Sequence, residues 1–138
     1  MPRILAIDYG IKRSGIAVTD PLKIIASPLE TVVTTDLISF LKKYFEKEKV
    51  EELVIGDPKN LRGEENDLTA IVYDFISVLK KEFPDIPVHL IDERFTSKMA
   101  SRIIGQSGMG KMKRQQKELL DKVSASIILQ TYIDKFHT

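Results

Sequence analysis

Residues 3–20 read Arg3-Ile-Leu-Ala-Ile-Asp8-Tyr-Gly-Ile-Lys-Arg13-Ser-Gly-Ile-Ala-Val-Thr-Asp20, and how this stretch folds sets the rest of the chain. Arg3 to Asp8 is a short apolar run rich in strand formers, closed by Tyr9-Gly10. Gly15 to Asp20 is a second such run, and two runs joined by a short polar turn predict an antiparallel hairpin. The first strand ends on a carboxylate.

Working outward, Pro21 and Pro28 bracket a loop or third strand that runs into Leu29-Glu-Thr-Val-Val33. Thr35 or Asp36 can cap a helix in which Leu37, Ile38, Phe40, Leu41, Tyr44 and Phe45 recur at helical spacing. Glu51 to Gly56 predicts a fourth strand stopped by Asp57-Pro58, and residues 60–66 a polar loop. A helix follows from Asp67 to about Phe83, then a fifth strand from Val88 to Asp92. Thr96 or Ser97 can begin a short helix to about Ile104, and a last helix runs from about Gln115 to Phe136. The order predicts a mixed α/β fold, a meander followed by right-handed crossovers, with helices on both sheet faces. No repeat or linker divides residues 1–138, so one domain is expected.

The 138 residues are 43% hydrophobic, enough for a core, and contain no run long enough to span a membrane. There are no cysteines, which excludes disulfides, thiolate catalysis and thiolate-bound zinc. The composition predicts a soluble intracellular protein with no membrane contact. Net charge is only +1, but residues 94–117 carry seven basic residues and no acidic one. Elsewhere 14 basic residues face 20 acidic ones, a segregation suited to contact with a polyanion.

Gly105-Gln-Ser-Gly-Met-Gly-Lys111 has the G-x-x-x-x-G-K spacing of a nucleotide phosphate loop. The next position, where a hydroxyl would ligate Mg²⁺, is Met112, and the segment follows a predicted helix instead of a strand. We read it as a mobile basic connection between two helices, with Lys111, Lys113 and Arg114 placed to hold phosphates.

Reactive edges of such sheets lie at the carboxyl ends of the parallel strands. Strands one, four and five end in Asp8, Asp57 and Asp92-Glu93, and Asp121 heads a stripe with Ala125, Ile128 and Tyr132 on the last helix. One such aspartate is ordinarily a turn former; three on one rim point to hard oxygen ligands for Mg²⁺ or Mn²⁺. His89, inside a strand, and His137, on the tail, fit structural or solvated roles. An acidic rim beside a basic segment favours phosphodiester chemistry.

These residues carry a resemblance. Asp8-Tyr-Gly-Ile-Lys-Arg13-Ser-Gly-Ile-Ala-Val-Thr-Asp20 resembles the D-x-G-x-K-R-x-G-x-A-x-[ST]-D opening of the YqgF/RuvX-like nucleases. Asp92-Glu-Arg-Phe-Thr-Ser97 is similar to that family's D-E-R segment, and Asp121-Lys-Val-Ser-Ala-Ser-Ile-Ile-Leu-Gln130 to its last-helix motif. The resemblance implies a ribonuclease H-like fold with sheet order 3-2-1-4-5, strand two antiparallel. It implies a bacterial cytoplasmic nuclease that matures the 5′ end of pre-16S rRNA, with branched DNA as the alternative substrate. Asp8, Glu93 and Asp121 match the family's acidic triad; Lys12, Arg13 and Arg94 would hold phosphate or pair with the acids. The chain departs from the family at Gly56-Asp57-Pro58, where an apolar residue is usual. Asp57 stands as a further metal ligand or a turn residue, the turn reading being preferred.

A junction resolvase needs two active sites and hence a dimer, and the sequence shows no obvious dimer stripe; a monomer or weak homodimer is expected. Two other readings are an ATP-binding fragment, disfavoured because one domain cannot form a two-domain cleft, and a non-catalytic RNA-binding assembly factor. Replacing Lys111, Lys113 and Arg114 with Ala should weaken RNA binding and flatten its salt dependence. In a fluorescence titration series the log–log slope should fall by about 2, if each contacts one phosphate of a single strand. An unchanged slope would remove this segment from the interface.

Overall fold

The computed structural model describes residues 3–20, 22–57, 67–92 and 113–136, without the side chains of 67, 92 and 113–120. Strand β1 (Arg3–Asp8) lies at the centre of a five-stranded sheet with β2 (Arg13–Thr19), β3 (Ala26–Val33), β4 (Val50–Asp57) and β5 (Val88–Asp92), in the order β3-β2-β1-β4-β5. Ile4, Leu5, Ala6 and Ile7 are all fully buried, because helices cover both faces of this strand. Its unbroken apolar run is the signature of that environment. Strand β2, Arg13–Thr19, pairs antiparallel with β1, placing Asp8 opposite Gly15. Strands β4, Val50–Asp57, and β5, Val88–Asp92, continue the sheet in parallel with β1. The order and directions are those of the ribonuclease H-like fold.

Strand β3, Ala26–Val33, is an edge strand that starts earlier than the prolines suggest and contains Pro28. Proline is tolerated on an edge or at a bulge, and the β2–β3 register shifts between Ile16 and Ala17, beside Pro28. The β2–β3 turn is organised by Asp20, whose carboxylate accepts from the backbone N–H groups of Leu22, Ile24 and Ile25. Thr19 accepts from the Ile4 N–H at 2.9 Å. The Thr-Asp end of the first motif is thus scaffolding.

Helices α1, Leu37–Lys47, and α2, Asp67–Glu82, cover one face. There Leu37, Leu41, Val72, Phe75 and Leu79 meet Leu5, Ile7, Ile16 and Ile55. A single 3-10 turn, Thr34–Asp36, precedes α1; Asp36 occupies the N-cap position but makes no side-chain cap bond. Helix α3, Lys113–Phe136, covers the other face, where Ala125, Ile128, Leu129 and Tyr132 meet Ile4, Ala6, Ala17 and Val54. Ala6 and Ala17 on the sheet and Ala125 on the helix are small, which lets α3 lie close where they meet. Among the described residues no helix is long and apolar enough to cross a membrane. The predicted helix at 96–104, the polar loop 60–66 and the glycine-rich connection lie outside the described residues.

Two contacts pin α3 far from the rim that carries Asp8. The Gln130 carboxamide oxygen accepts from the Ala26 N–H at 3.0 Å, holding the start of β3. The Tyr132 hydroxyl donates to Glu52 at 2.6 Å, and the Tyr132 ring stacks on His89, itself 3.2 Å from Glu52. His89 is therefore a structural histidine, as its place in a strand suggested. Burial, then the bond to Glu52, pushes the Tyr132 phenol above its ordinary value of 10.0. A group whose pKa is raised on folding stabilises below its unfolded value, and that contribution is lost as pH climbs toward the folded one. Stability should therefore fall with pH above about 10, and Tyr132→Phe should flatten that limb in urea titrations at pH 9 to 11.

Candidate active site

Asp8 ends a strand that four buried residues hold rigid, and its position on the sheet is set by alternation. Ile4 and Ala6 face α3, while Leu5 and Ile7 face α1 and α2. Asp8, in step with Ile4 and Ala6, belongs to the α3 side. Its cross-strand partner is Gly15, and the Ile7–Ile55 register carried one residue on puts Gly56 at its other flank. Asp8 is half-buried, and neither residue flanking it across the sheet carries a side chain.

Gly15 also brings in the second carboxylate. A Cβ at this position would overlap the Asp121 carbonyl group and come within 2.7 Å of the Lys122 nitrogen, so α3 crosses β2 in direct backbone contact. That crossing occurs at Asp121, one strand away from Asp8. Ser124 and Ala125, buried one turn on, complete the close approach. Arg13 closes the group, its Nε donating to Asp121 Oδ2 at 2.9 Å across 108 residues of sequence. Arg13 pairs with an acid of the site, one of the two roles left open for it.

The hairpin between Asp8 and Arg13 is braced from within. Thr34 gives its hydroxyl proton to the Gly10 carbonyl at 2.7 Å, so Ser14 is the donor in the 2.9 Å bond between the two hydroxyls. Ser14 in turn accepts from the Gly10 N–H at 3.3 Å, which closes a ring of three hydrogen bonds. The Thr34 N–H also bonds the Lys12 carbonyl at 2.9 Å. Tyr9 packs on Phe75 with ring centroids 4.6 Å apart, and burial raises its phenol pKa. Lys12 stays exposed at the tip of this fixed loop. Ser14 and Thr34 had no signal of their own in the sequence: the first lies in the turn before the expected second strand, the second between elements.

Asp57 occupies a different place. It is the last residue of β4 and is buried, in step with Leu53 and Ile55 on the α1–α2 side. Tyr73 on α2 donates to its Oδ2 at 3.4 Å. The strand runs one residue beyond the expected Gly56 end, with Asp57 in register with Asp92, and the residues that follow Asp57 lie outside the described ones. The same alternation separates it from Asp8 and Asp121 on opposite faces. Glu93, Arg94 and Lys111 lie outside the described residues; Lys113 and Arg114 begin α3, with their side chains outside the description. Among the described residues no three acidic or histidine side chains form a metal cluster. Asp8 and Asp121 offer two hard oxygen donor groups, the chemistry that suits Mg²⁺ or Mn²⁺.

A family model described as "RuvX: Holliday junction resolvase" matches residues 2–135. A Flavobacterium psychrophilum protein named "Putative pre-16S rRNA nuclease" is 51% identical over 135 residues, covering 98% of each chain. A Porphyromonas gingivalis protein of the same name is 53% identical over 134 residues, 97% of each. Among solved structures, the backbone is similar to Thermus thermophilus RuvC in complex with a Holliday junction substrate, with a TM-score of 0.59 and 17% identity. That likeness spans 100% of this chain and 98% of the other, and it shows the fold.

The Gly15 contact makes a sharp stability prediction. Gly15→Ala must push the α3 backbone off β2, and should lower unfolding free energy by about 3 kcal/mol, the upper range for overpacking. Lys12→Ala, at an exposed position, should stay within about 0.5 kcal/mol of the parent. Urea unfolding of both variants checks this.

Proposed function

The chain belongs to the RuvX family, and from that premise we propose that it is a divalent-metal-dependent nuclease that hydrolyses phosphodiester bonds at the 5′ end of pre-16S rRNA. The observation that carries the reading is the placement of Asp8 and Asp121 on one sheet face at the carboxyl rim, joined through Gly15. The names of the relatives support the RNA substrate. Asp8, Glu93 and Asp121 would hold the ion; the buried position of Asp57 on the opposite face favours a structural role for it. Bound there, Mg²⁺ or Mn²⁺ supplies activation of a water and stabilisation of the departing oxygen.

The chain's own residues do the positioning. The braced hairpin fixes Asp8 relative to Lys12, which is exposed to meet a phosphate beside the acids. Arg13 orients Asp121. Arg94, Lys111, Lys113 and Arg114 would hold the nucleic-acid backbone alongside, through charge and not base identity. We assign residues 1–138 to one domain working in the bacterial cytoplasm, as a monomer or weak homodimer.

Four-way junction cleavage is a second reading, supported by the family description. The test is parallel incubation of a pre-16S 5′-leader RNA and a four-way junction DNA with Mg²⁺ or Mn²⁺. The leader RNA should be cut and Asp8→Asn should lower the rate roughly 100-fold, comparable to the larger losses when a metal site is perturbed. Leader cleavage no faster than in the variant, with either ion, would sink the RNA reading. Junction cutting alone would replace it with the second.

A further inference from the structure

Arg13 and Asp121 form an ion pair between two members of the site, both partly open to solvent at 32% and 24% side-chain exposure. An ion pair so exposed is weak and readily exchanged. The Arg13 backbone is fixed as the first residue of β2, paired with Val33, while the guanidinium reaches on three methylenes to Asp121. One carboxylate oxygen thus already has a cation at 2.9 Å before any ion enters. A divalent ion ligated by Asp121 would meet that positive charge within a few ångströms, where like charges repel.

We propose that Arg13 is an internal counter-cation, holding Asp121 until a divalent ion displaces it and then turning its guanidinium to a substrate phosphate. This rests on the metal-dependent nuclease reading and adds to it an order of events. The guanidinium fork suits both carboxylate and phosphate, so the exchange replaces one bonding partner with another of the same geometry. Metal and polynucleotide then help each other bind, and by linkage each raises the other's affinity by the same factor. Arg13 is a positioning residue for the acid in one state and a phosphate contact in the other.

Titration calorimetry with Mn²⁺ and with Ca²⁺, on the full chain without nucleic acid, separates the possibilities. Arg13→Gln should bind the ions about three- to tenfold more tightly than the parent, because the competing cation is gone. Arg13→Lys, which keeps the charge, should lie within about twofold of the parent. Lys42→Gln, at a surface pair with Glu82, should leave ion affinity unchanged. In fluorescence anisotropy with leader RNA, Ca²⁺ should tighten binding to the parent by a larger factor than binding to Arg13→Gln. Equal or weaker ion binding by Arg13→Gln, or an equal Ca²⁺ effect on RNA affinity, overturns the counter-cation while leaving the nuclease reading standing. A parent chain that takes up neither ion removes the nuclease reading itself, and this proposal with it.

Discussion

The site depends on one constraint: the backbone of α3 rests directly on β2 at Gly15. Helices ordinarily pack on sheets through side chains, which keeps the two backbones apart. Here a glycine opposite Asp8, with Ala17 beside it and Ser124-Ala125 on the helix, removes that spacer. The helix settles to contact at Asp121, and a carboxylate otherwise remote in the chain arrives one strand from Asp8. Any side chain at residue 15 would separate the two acids and unseat the second core layer together.

Around that contact the family motifs divide into two kinds of work. In the first motif Asp8 stands at the carboxyl rim with Arg13 paired to Asp121 and Lys12 exposed beside them, whereas Gly10, Ser14, Thr19 and Asp20 hold the two turns and the sheet. In the last, Asp121 faces the site, while Gln130 anchors the edge strand. Motif residues are recognisable together because chemistry and scaffold must be met at once: an acid at a strand end is useful only if the hairpin beside it cannot move. The three-bond ring through Ser14, Thr34 and Gly10 performs that second task, since every hydroxyl in it both donates and accepts.

Much of the architecture was legible because its signals are local. A run of apolar residues, a 3.6-residue period and a proline boundary each act within a few residues, and they marked the described strands and α-helices, β3 only as a loop or third strand and the 3-10 turn Thr34–Asp36 not at all. Their ends were less legible. Pro28 looks like a boundary and instead sits inside β3, because an edge position and a bulge remove the need for its N–H. Asp57 is expected to stop β4 and is instead its last residue, where register with β5 extends the strand by one position.

By itself the sequence determined the order of elements, the acidic and basic residue sets and the family. These follow from residue identity and short-range periodicity, which a chain carries before it folds. Tertiary structure alone decided which carboxylates share a face. Strand alternation separates Asp8 from Asp57, though both end parallel strands, and only the packing of α3 tells which side is which. It also decided that Arg13 meets Asp121, a pairing across 108 residues. The physical reason is the same in both: direction across a sheet and contact between distant segments are properties of the packed layers, and no local preference specifies them.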